Sequence, residues 1–278
     1  MNNIDGKLIS SKVKEELKAE IKTYMIKPCL AVIQIGDDEA SNVYIKAKEK
    51  ACNEVGIYLK HVKFDENARE IEVINKIIEL NNDEYVHGIL LQLPIPPRFN
   101  EEKLINYIAR NKAVDGLTDI NVGKLMNNKK CLISCTPQGI MKMLEEMNVE
   151  ISGKNVVIVG RSKLVGKPLI SLFLNNDATV TVCHSKTQNL KQFTENADIL
   201  VVAVGQKHLI TEDMVKENSV VIDVGINRID GKLYGDVDYE NVKNKVSLIT
   251  PVPGGVGPMT VAMLLNNVNI VYKNMNNK

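Results

Sequence analysis

Two residues able to take part in chemistry, Tyr44 and Lys48, lie four positions apart in DDEASNVYIKAKEKACNEVG. Four residues are about one helical turn, so on a helix these two side chains share a face and can meet. Such a pair would supply an aromatic face and an amine able to act as a base or acid. The alternative is that Tyr44 packs inside the fold and Lys48 is one of several lysines on a solvated face.

Two further polar residues occur in the same half of the chain. Gln92 interrupts GILLQLPIPP, which is otherwise apolar and predicts a buried strand ended by prolines. An amide in the middle of that strand needs partners, because an unpaired one costs about 1–3 kcal/mol. Asp115 precedes the turn glycine Gly116, where its alternative role is an ordinary Asx turn. With Tyr44 and Lys48, these residues could supply a base or acid, a polarising amide and a carboxylate acceptor.

A second centre of chemistry is predicted in VVIVGRSKLVGKP, residues 156–168. Gly160 ends an apolar strand, and Gly166 follows six residues later, just before Lys167-Pro168 at the predicted start of a helix. Glycines around a strand-to-helix turn leave backbone N–H groups free to face a pyrophosphate, which the helix N-terminus also favours. The spacing differs from G-x-G-x-x-G, and the alternative is a tight loop that holds no ligand.

The residues after the next strand bear on the choice of nucleotide. An NAD site usually places an Asp or Glu there to accept a hydrogen bond from the ribose 2′-hydroxyl. Here the segment reads Val182-Cys183-His184-Ser185-Lys186, without a carboxylate. Arg161 and Ser185 are donors suited to a 2′-phosphate, so the sequence favours NADP over NAD. The alternative for Arg161 is a solvated loop arginine.

The first half of the chain must position Tyr44, Lys48, Gln92 and Asp115, and it alternates strand and helix. MNNIDGKLISSKVKEELKAEI predicts an amphipathic helix, and residues 29–35 (CLAVIQI) predict a short buried strand. A helix from about Ala40 to Val55 should stop at Gly56, and another should lie around residues 69–80. Thr136-Pro137 then predicts a new helix, with Thr136 as N-cap, that runs to about Met147.

The second half contains four apolar runs, VVIVG, TVTVC, ILVVAVG and SVVIDVG, after Gly153. Near-continuous apolar strands indicate a parallel sheet buried on both faces. We therefore expect an α/β protein of two domains, the second a doubly wound, Rossmann-like NADP-binding domain. The domain change is placed near residues 136–150. Residues 1–136 would form the first domain, joined by the C-terminal helix 259–278, and residues 137–258 the second.

Composition excludes several classes of function. The chain has 278 residues, 25% of them charged, and a formal net charge of +1, so no global field attracts nucleic acid or a membrane. Aromatic residues make up 4% with no Trp, which disfavours single-strand stacking platforms. The five cysteines are scattered, and Cys131 with Cys135 lacks a second ligand pair, so we expect reduced thiols, no metal site and a cytoplasmic protein.

The chain resembles the bifunctional methylenetetrahydrofolate dehydrogenase/cyclohydrolase family over nearly its whole length. The resemblance rests on eight segments in the same order: DDEASNVYIKAKEKACNEVGI, GILLQLPIP, VDG, CTPQGI, VVIVGRSKLVGKP, CHSKT, DVGINR and TPVPGGVGPMT. It implies a homodimeric, NADP-dependent enzyme of folate one-carbon metabolism and purine biosynthesis. Such an enzyme oxidises 5,10-methylenetetrahydrofolate and hydrolyses the methenyl product to 10-formyltetrahydrofolate, with the folate bound in a cleft between the domains.

The resemblance also implies roles for individual residues. Tyr44 would stack on the pterin, Lys48 would be the central catalytic group, Gln92 would tune it, and Asp115 would hydrogen-bond the pterin's amino-pyrimidine edge. The loop Pro251–Met259 would close over the folate, with Pro251, Gly254, Gly255 and Pro258 as substrate-binding residues. The implied cofactor-binding residues are Gly160, Arg161, Ser162, Gly166, Ser185 and Ile226.

The sequence departs from the family pattern around Asp115. Arg110-Asn111-Lys112-Ala113 stands where Pro-x-Lys-Asp is common, Leu117-Thr118-Asp119 replaces Phe-His-Pro, and Ser134 replaces a proline. Two alternatives therefore stay open: an NADP-dependent dehydrogenase without cyclohydrolase activity, and a non-catalytic folate- or nucleotide-binding module. A shikimate- or amino-acid-type dehydrogenase would not explain Tyr44, Lys48 and PVPGGVGPMT together.

Overall fold

The computed structural model describes residues 3–276, and its contacts divide the chain into two compact units. The N-terminal unit comprises residues 11–124, 129–135 and 261–276, and the central unit comprises residues 3–10, 125–128 and 136–260. From the sequence, residues 3–10 and 125–128 were expected to belong to the first domain. The structure groups them with the central unit, where the Ile4 N–H donates to the Ile249 carbonyl at 2.9 Å.

Helices and strands alternate along most of the chain. In chain order they are α1 (Gly6–Ile21), β1 (Cys29–Ile35), α2 (Glu39–Val55), β2 (Tyr58–Phe64), α3 (Glu70–Asn82), β3 (Gly88–Leu91), α4 (Glu101–Tyr107), α5 (Asp119–Met126), α6 (Cys135–Glu146), β4 (Asn155–Val159), α7 (Gly166–Leu174), β5 (Thr179–Cys183), α8 (Leu190–Thr194), β6 (Ile199–Val202), β7 (Val220–Asp223), β8 (Asn227–Ile229), β9 (Lys232–Tyr234), α9 (Tyr239–Val242), β10 (Leu248–Ile249) and α10 (Val256–Asn276).

The N-terminal unit has a three-stranded parallel sheet in the order β2-β1-β3. Every residue of β1 is buried and all but Gln34 are apolar, as expected for the central strand of the sheet. One apolar cluster packs β1 and β3 against α3 and α4. Strand β2 is an edge strand of mixed exposure, so its sequence YLKHVKF carries no continuous apolar signal and was not predicted.

The predicted bounds of helix α2 are confirmed, and the helix has a cap at each end. The Asp38 side chain accepts a hydrogen bond from the Ser41 N–H at 2.7 Å. Gly56 adopts φ 90° and donates its N–H to the Cys52 carbonyl, which ends the helix in the left-handed conformation that glycine allows. The predicted helix around residues 69–80 is confirmed as α3.

Two local predictions were wrong. Strand β3 ends at Leu91, so Gln92 follows the strand instead of interrupting it. Helix α6 begins at Cys135, so Thr136 is an internal residue of its first turn and not the N-cap. Its hydroxyl instead shares a hydrogen bond with the Thr260 hydroxyl at 2.9 Å.

The central unit has a five-stranded parallel sheet in the order β10-β7-β6-β4-β5. The four predicted strands are confirmed as β4 to β7, and the short strand β10 and the antiparallel hairpin β8–β9 were not predicted. The neighbours of β4 are β5 on one side and β6 on the other. The strand order therefore reverses at β4, and in open α/β sheets ligands bind at such a point, outside the carboxyl ends of the strands.

Within residues 3–276, no helix has the length and apolar character needed to span a bilayer.

Candidate active site

Helix α2 presents both Tyr44 and Lys48 from one face. Tyr44 is 54% exposed, so the alternative that it packs inside the fold is wrong. Lys48 is half-buried, whereas Lys46 and Lys50 on the same helix are exposed. The burial of Lys48 distinguishes it from a lysine on a solvated helix face.

Gln92 is the hydrogen-bond partner of Lys48. The Lys48 Nζ donates to the Gln92 Oε1 at 2.5 Å, and the Gln92 Nε2 donates to the Leu93 carbonyl at 2.6 Å. The amide is 6% exposed, and these two bonds fix which of its ends faces the lysine. The expectation that a buried amide at this position needs partners is confirmed.

Burial lowers the pKa of the Lys48 ammonium below its ordinary value. Cys135, Cys52 and Asp115 act against this by favouring the charged form. The two thiols are themselves buried, and burial raises the pKa of each to about 12, so both are neutral at physiological pH. Asp115 is therefore the only anionic group among these partners near pH 7, and Lys48 titrates closer to neutrality than an exposed lysine.

Asp115 lies in a loop that the structure holds tightly. Its Oδ1 accepts a hydrogen bond from the Leu117 N–H at 3.2 Å, so the Asx turn is present. Gly116 adopts φ +71°, and a Cβ there would lie 2.5 Å from the carbonyl carbon of Ile133. The turn therefore requires glycine, and Asp115 is both a turn residue and an electrostatic partner of Lys48.

Burial raises the pKa of the Asp115 carboxyl to about 6. Hydrogen bonds from the N–H groups of Leu117 and Asp115, and the positive charge of Lys48, lower this pKa but only partly offset the effect of burial. Only 8% of the residue is exposed. At neutral pH the group is mostly a carboxylate, and it becomes protonated within about one pH unit below neutrality. It can therefore accept hydrogen bonds from a ligand, in a pH-dependent way.

Asn267 of α10 fixes the chain on both sides of this loop. Its Nδ2 donates to the Val114 carbonyl at 2.7 Å and to the Ile133 carbonyl at 2.9 Å, and the residue is 1% exposed. Asn267 was not predicted from the sequence. The available signal was an amide within the apolar run VAMLLNNVNIV, because a buried amide there needs polar partners.

The departures from the family pattern near Asp115 have local partners of their own. Lys112 is buried, and its Nζ donates to the Leu80 carbonyl at 3.2 Å and the Asp83 carbonyl at 2.7 Å. The Thr118 hydroxyl is buried and accepts from the Asn121 N–H at 3.4 Å. These residues support the loop from outside the group formed by Lys48, Gln92 and Asp115.

The predicted nucleotide turn lies at the carboxyl end of β4. Gly160 adopts φ +127°, and a Cβ on Gly166 would lie 2.2 Å from the Gly160 carbonyl oxygen. Both glycines are therefore required by the close return of the chain to the start of α7. The Ser162 Oγ accepts from the Val165 N–H at 3.1 Å and the Gly166 N–H at 3.5 Å, which orders the turn.

The side chains around this turn suit an anionic nucleotide. Arg161, Ser162 and Ser185 are exposed, and Arg161 has no hydrogen-bond or ion-pair partner in the described part of the chain. The segment after β5, residues 184–188, contains no carboxylate. These hydrogen-bond donors lie where the strand order of the sheet reverses, and no carboxylate beside them would repel a phosphate. They therefore fit a dinucleotide with an extra phosphate on its ribose.

The third predicted segment, the loop after β10, forms one wall of a cavity of about 220 Å³ within the central unit. Pro251, Gly254, Gly255 and Pro258 line it together with Ile226, which is 55% exposed. The structure thus places the proposed folate-loop residues and one proposed cofactor residue in the same unit. The four residues proposed for chemistry, Tyr44, Lys48, Gln92 and Asp115, all belong to the N-terminal unit.

Sequence profiles of protein families identify both halves of the chain. Residues 4–115 match the tetrahydrofolate dehydrogenase/cyclohydrolase catalytic domain, and residues 134–276 match the NAD(P)-binding domain of the same family. This chain belongs to the tetrahydrofolate dehydrogenase/cyclohydrolase family. The predicted family, the two-domain α/β fold and the nicotinamide-nucleotide domain are confirmed.

Individual relatives of the tetrahydrofolate dehydrogenase/cyclohydrolase family match nearly end to end. The bifunctional protein FolD of Campylobacter hominis is 52% identical, over 99% of this chain and 98% of the relative. The FolD crystal structure from Campylobacter jejuni has a TM-score of 0.96 at 47% identity, over 98% of each chain. The Trypanosoma brucei FolD, complexed with NADP cofactor and inhibitor, has a TM-score of 0.91 at 34% identity, over 97% of this chain and 96% of that one.

Proposed function

We propose that this chain oxidises 5,10-methylenetetrahydrofolate to 5,10-methenyltetrahydrofolate with NADP⁺, and then hydrolyses the product to 10-formyltetrahydrofolate. The observation that carries the proposal is the half-buried amine of Lys48, hydrogen-bonded to Gln92 and electrostatically coupled to Asp115. These groups lie in the part of the chain that matches the family's catalytic domain.

The folate would be bound by an exposed ring and a buried carboxylate. Tyr44 offers a half-exposed aromatic face on which a pterin can stack. The Asp115 carboxylate can accept hydrogen bonds from the amino-pyrimidine edge of the pterin, which carries neighbouring N–H donors. Because the Asx turn and Gly116 fix the Asp115 loop, this acceptor is already ordered before a ligand binds.

The dehydrogenase step needs alignment more than it needs strong acids or bases. NADP⁺ supplies a nicotinamide ring that accepts a hydride when it is bound. The lone pairs of the two folate nitrogens that flank the one-carbon bridge stabilise the cation formed there. The protein's main contribution is therefore to hold the pterin through Tyr44 and Asp115 and to exclude competing orientations.

The residues of the cofactor turn would hold the nucleotide by different means. The turn from Gly160 to Gly166 would bind the pyrophosphate through backbone N–H groups at the start of α7, and its tight backbone requires glycine at both positions. Arg161, Ser162 and Ser185 are exposed donors, and Ile226 offers an apolar contact. The absence of a carboxylate after β5 in the sequence makes a 2′-phosphate acceptable, so we assign NADP over NAD.

The cyclohydrolase step needs proton transfer, and we assign this transfer to Lys48. Water adds to the methenyl carbon, and the neutral amine of Lys48 accepts a proton from that water. As the ring opens, the C–N5 bond breaks and the ammonium returns a proton to N5. The hydroxyl of the hydrated intermediate releases its proton to solvent as it becomes the C=O of the formyl group, which stays on N10. Burial, by lowering the Lys48 pKa, increases the neutral fraction of the amine, and the Gln92 Oε1 accepts its N–H.

We further infer a homodimer located in the cytoplasm, with no nucleic-acid or membrane partner. All five cysteines lack disulfide partners, as expected in a reducing compartment. Light scattering coupled to size-exclusion chromatography gives the molar mass of the assembly directly. A mass near 31 kDa in dilute buffer would contradict the dimer, because the chain itself has a mass of 30.9 kDa.

One assay separates the two-step enzyme from the dehydrogenase that lacks the second step. Purified protein is mixed with methylenetetrahydrofolate and either NADP⁺ or NAD⁺, and the absorbances of reduced nucleotide and of methenyltetrahydrofolate are followed together. We expect NADPH formation with only a transient methenyl signal. Persistent methenyl accumulation would mean a single activity, and no NADPH formation at all would leave the non-catalytic folate-binding module.

A further inference from the structure

The buried carboxylate of Asp236 accepts four hydrogen bonds, three from the loop after β6 and one from Asn227, where the loop after β7 enters β8. Its Oδ2 accepts from the N–H groups of Val204 at 2.7 Å and Gly205 at 3.0 Å. Its Oδ1 accepts from the Gln206 N–H at 2.8 Å and the Asn227 Nδ2 at 2.9 Å. Three consecutive backbone N–H groups that converge on one anion form a nest, and the loop is wrapped around this side chain.

The four hydrogen bonds to the Asp236 carboxylate depend on one another. Asp236 is 0% exposed, and its four hydrogen-bond donors are uncharged amides. A buried carboxylate without a counter-ion is stable only when its oxygens accept hydrogen bonds from the protein. Each missing hydrogen bond costs free energy, because no water replaces it in the buried site. The conformation of the two loops and the presence of this carboxylate are therefore linked.

A second buried carboxylate, Asp223 at the end of β7, fixes Asp236 itself. The Asp223 Oδ1 accepts from the N–H groups of Gly225 and Asp236, and its Oδ2 accepts from the Val237 N–H, each at 2.9 Å. A Cβ on Gly225 would lie 2.3 Å from the Asp236 carboxyl carbon, so that position has room only for glycine. The sheet thus anchors Asp236, and Asp236 anchors the loops.

Both loops lie beside proposed cofactor residues. The loop from Ala203 follows β6, and the Ala203 carbonyl oxygen is 2.4 Å from where a Cβ on Gly160 would be, so the two backbones are in direct contact. The other loop contains Ile226, between Gly225 and Asn227, which are held by Asp223 and Asp236 respectively. One buried carboxylate therefore links the backbone beside the nucleotide turn to the backbone that presents Ile226.

We propose that Asp236 is a positioning residue for the dinucleotide, holding the Ala203–Gln206 loop and the Ile226–Asn227 backbone in the conformation that binds NADP. The inference rests on the proposed function, since it concerns the cofactor of that reaction. Asp236 is buried behind the loops and acts through them.

The variant Asp236→Asn tests the proposal with little change in size. One carboxylate oxygen is replaced by an NH₂ group, which cannot accept a hydrogen bond and meets backbone N–H groups that also donate. We expect the Kd for NADP⁺, measured by calorimetry, to rise at least about 10-fold, the scale of losing charge-assisted hydrogen bonds. Asp213→Asn is the matched control, because Asp213 is an exposed aspartate of the same unit.

Hydrolysis of methenyltetrahydrofolate provides an internal control, because it consumes no nucleotide. In Asp236→Asn we expect this rate to stay within about twofold of wild type while the KM for NADP⁺ rises. A merely structural role would lower both activities in proportion. Proportional loss of both activities would therefore overturn the proposal, and so would an unchanged Kd for NADP⁺.

A second variant keeps the test decisive if Asp236→Asn does not fold. Gly205 adopts φ +66° with open space around a hypothetical Cβ, so Gly205→Ala disturbs only the loop backbone. We expect a rise of about 5-fold in the Kd for NADP⁺ from this strain, with hydrolysis retained. An unchanged Kd would contradict the importance of the loop conformation. A wild-type enzyme that fails to reduce NADP⁺ would instead contradict the proposed function, so the two failures are distinguishable.

Discussion

Lys48 and Gln92 are joined by a hydrogen bond of 2.5 Å in which the lysine Nζ donates to the amide oxygen. The other end of the amide is held by the Leu93 carbonyl, so the oxygen cannot turn away from the lysine without leaving a buried amide N–H unpaired. Both the neutral and the charged amine can donate to this oxygen. The bond therefore fixes the position of the Nζ while burial decides how easily it loses a proton.

Replacing Lys48 with Met should remove the cyclohydrolase activity and affect the dehydrogenase less. Methionine fills similar space without an amine, so water attack loses its proton acceptor and the rate should fall by about 10²–10⁴-fold. The dehydrogenase step depends on alignment, and we expect a smaller loss there. The measurement is hydrolysis of methenyltetrahydrofolate beside NADPH formation. Lys50→Met, an exposed lysine of the same helix, is the control, and a Lys48→Met enzyme that hydrolyses at the wild-type rate would exclude Lys48 as the proton acceptor.

Replacing Gln92 with Glu should shift the pH profile of hydrolysis. A carboxylate in contact with Lys48 favours the ammonium form, which raises the Lys48 pKa and reduces the neutral fraction at any given pH below it. We expect a lower rate at pH 7 and recovery at higher pH, so the rising limb of the rate–pH curve moves up by about one unit or more. Gln92→Met, which removes the oxygen without adding charge, should lower the rate without moving that limb upward.

Replacing Asp115 with Asn should weaken folate binding by removing a charged acceptor. Asn can still accept from the Leu117 N–H, so the turn should survive while the charge-assisted bonds to the pterin are lost. We expect the KM for methylenetetrahydrofolate to rise about 10-fold or more, with little change in the KM for NADP⁺. In the wild type the same KM should rise as the pH falls through about 6, where Asp115 becomes protonated, and this pH dependence should be absent from the variant.

The same substitution should stabilise the unliganded protein at neutral pH. The Asp115 pKa is raised from 3.8 to about 6, so the folded state disfavours the carboxylate, and stability from this group is lost as the pH rises through about 6. Removing the charge should recover up to about 3 kcal/mol at pH 7.5 and only about 0.5 kcal/mol at pH 4. Thermal unfolding at both pH values checks this, and an equal shift at the two would contradict it.

Arg161 should determine the preference for NADP⁺. With the Arg161→Gln variant we expect the KM for NADP⁺ to rise about 10-fold, because a guanidinium–phosphate contact is lost, while the KM for NAD⁺ stays near the wild-type value. NAD⁺, which lacks the 2′-phosphate, is the internal control. Equal effects on both nucleotides would mean that Arg161 contacts a part that they share.

The fold was predictable wherever burial was continuous along the sequence. Strands β1, β4, β6 and β7 are short, mainly apolar and almost wholly buried, and α2 ends at a glycine, so each carries a local signal. Strand β5 was also predicted, from its run TVTVC, although only Cys183 in it is fully buried. Strand β2 at the sheet edge and the two-residue strand β10 were missed, because the first alternates in exposure and the second is too short for a pattern. Gln92 was misplaced because proline and apolar residues continue after β3 ends.

The site was predictable where chemistry and a turn coincide, as at Lys48, Asp115 and Gly160. The supporting residues were not, because their partners are distant in sequence. Asn267 bonds to carbonyls 153 and 134 positions away, and Asp236 bonds to N–H groups 30 to 32 positions away. No local sequence pattern predicts hydrogen bonds between residues so far apart in the chain. Only the cost of burying an amide or a carboxylate indicated that partners had to exist.

Asn267 should prove as important for the Asp115 loop as the turn glycine. Replacement by Leu leaves the Val114 and Ile133 carbonyls without their donor, although it also removes an Oδ1 that has no partner in the described part of the chain. The net loss in the free energy of unfolding should be about 1–3 kcal/mol. Since the loop also loses its fixed position, the KM for methylenetetrahydrofolate should rise several-fold and the KM for NADP⁺ should not. Asn266→Leu, at the half-buried neighbouring position, is the control, and equal folate KM values in the two variants would show that the Asn267 amide does not position Asp115.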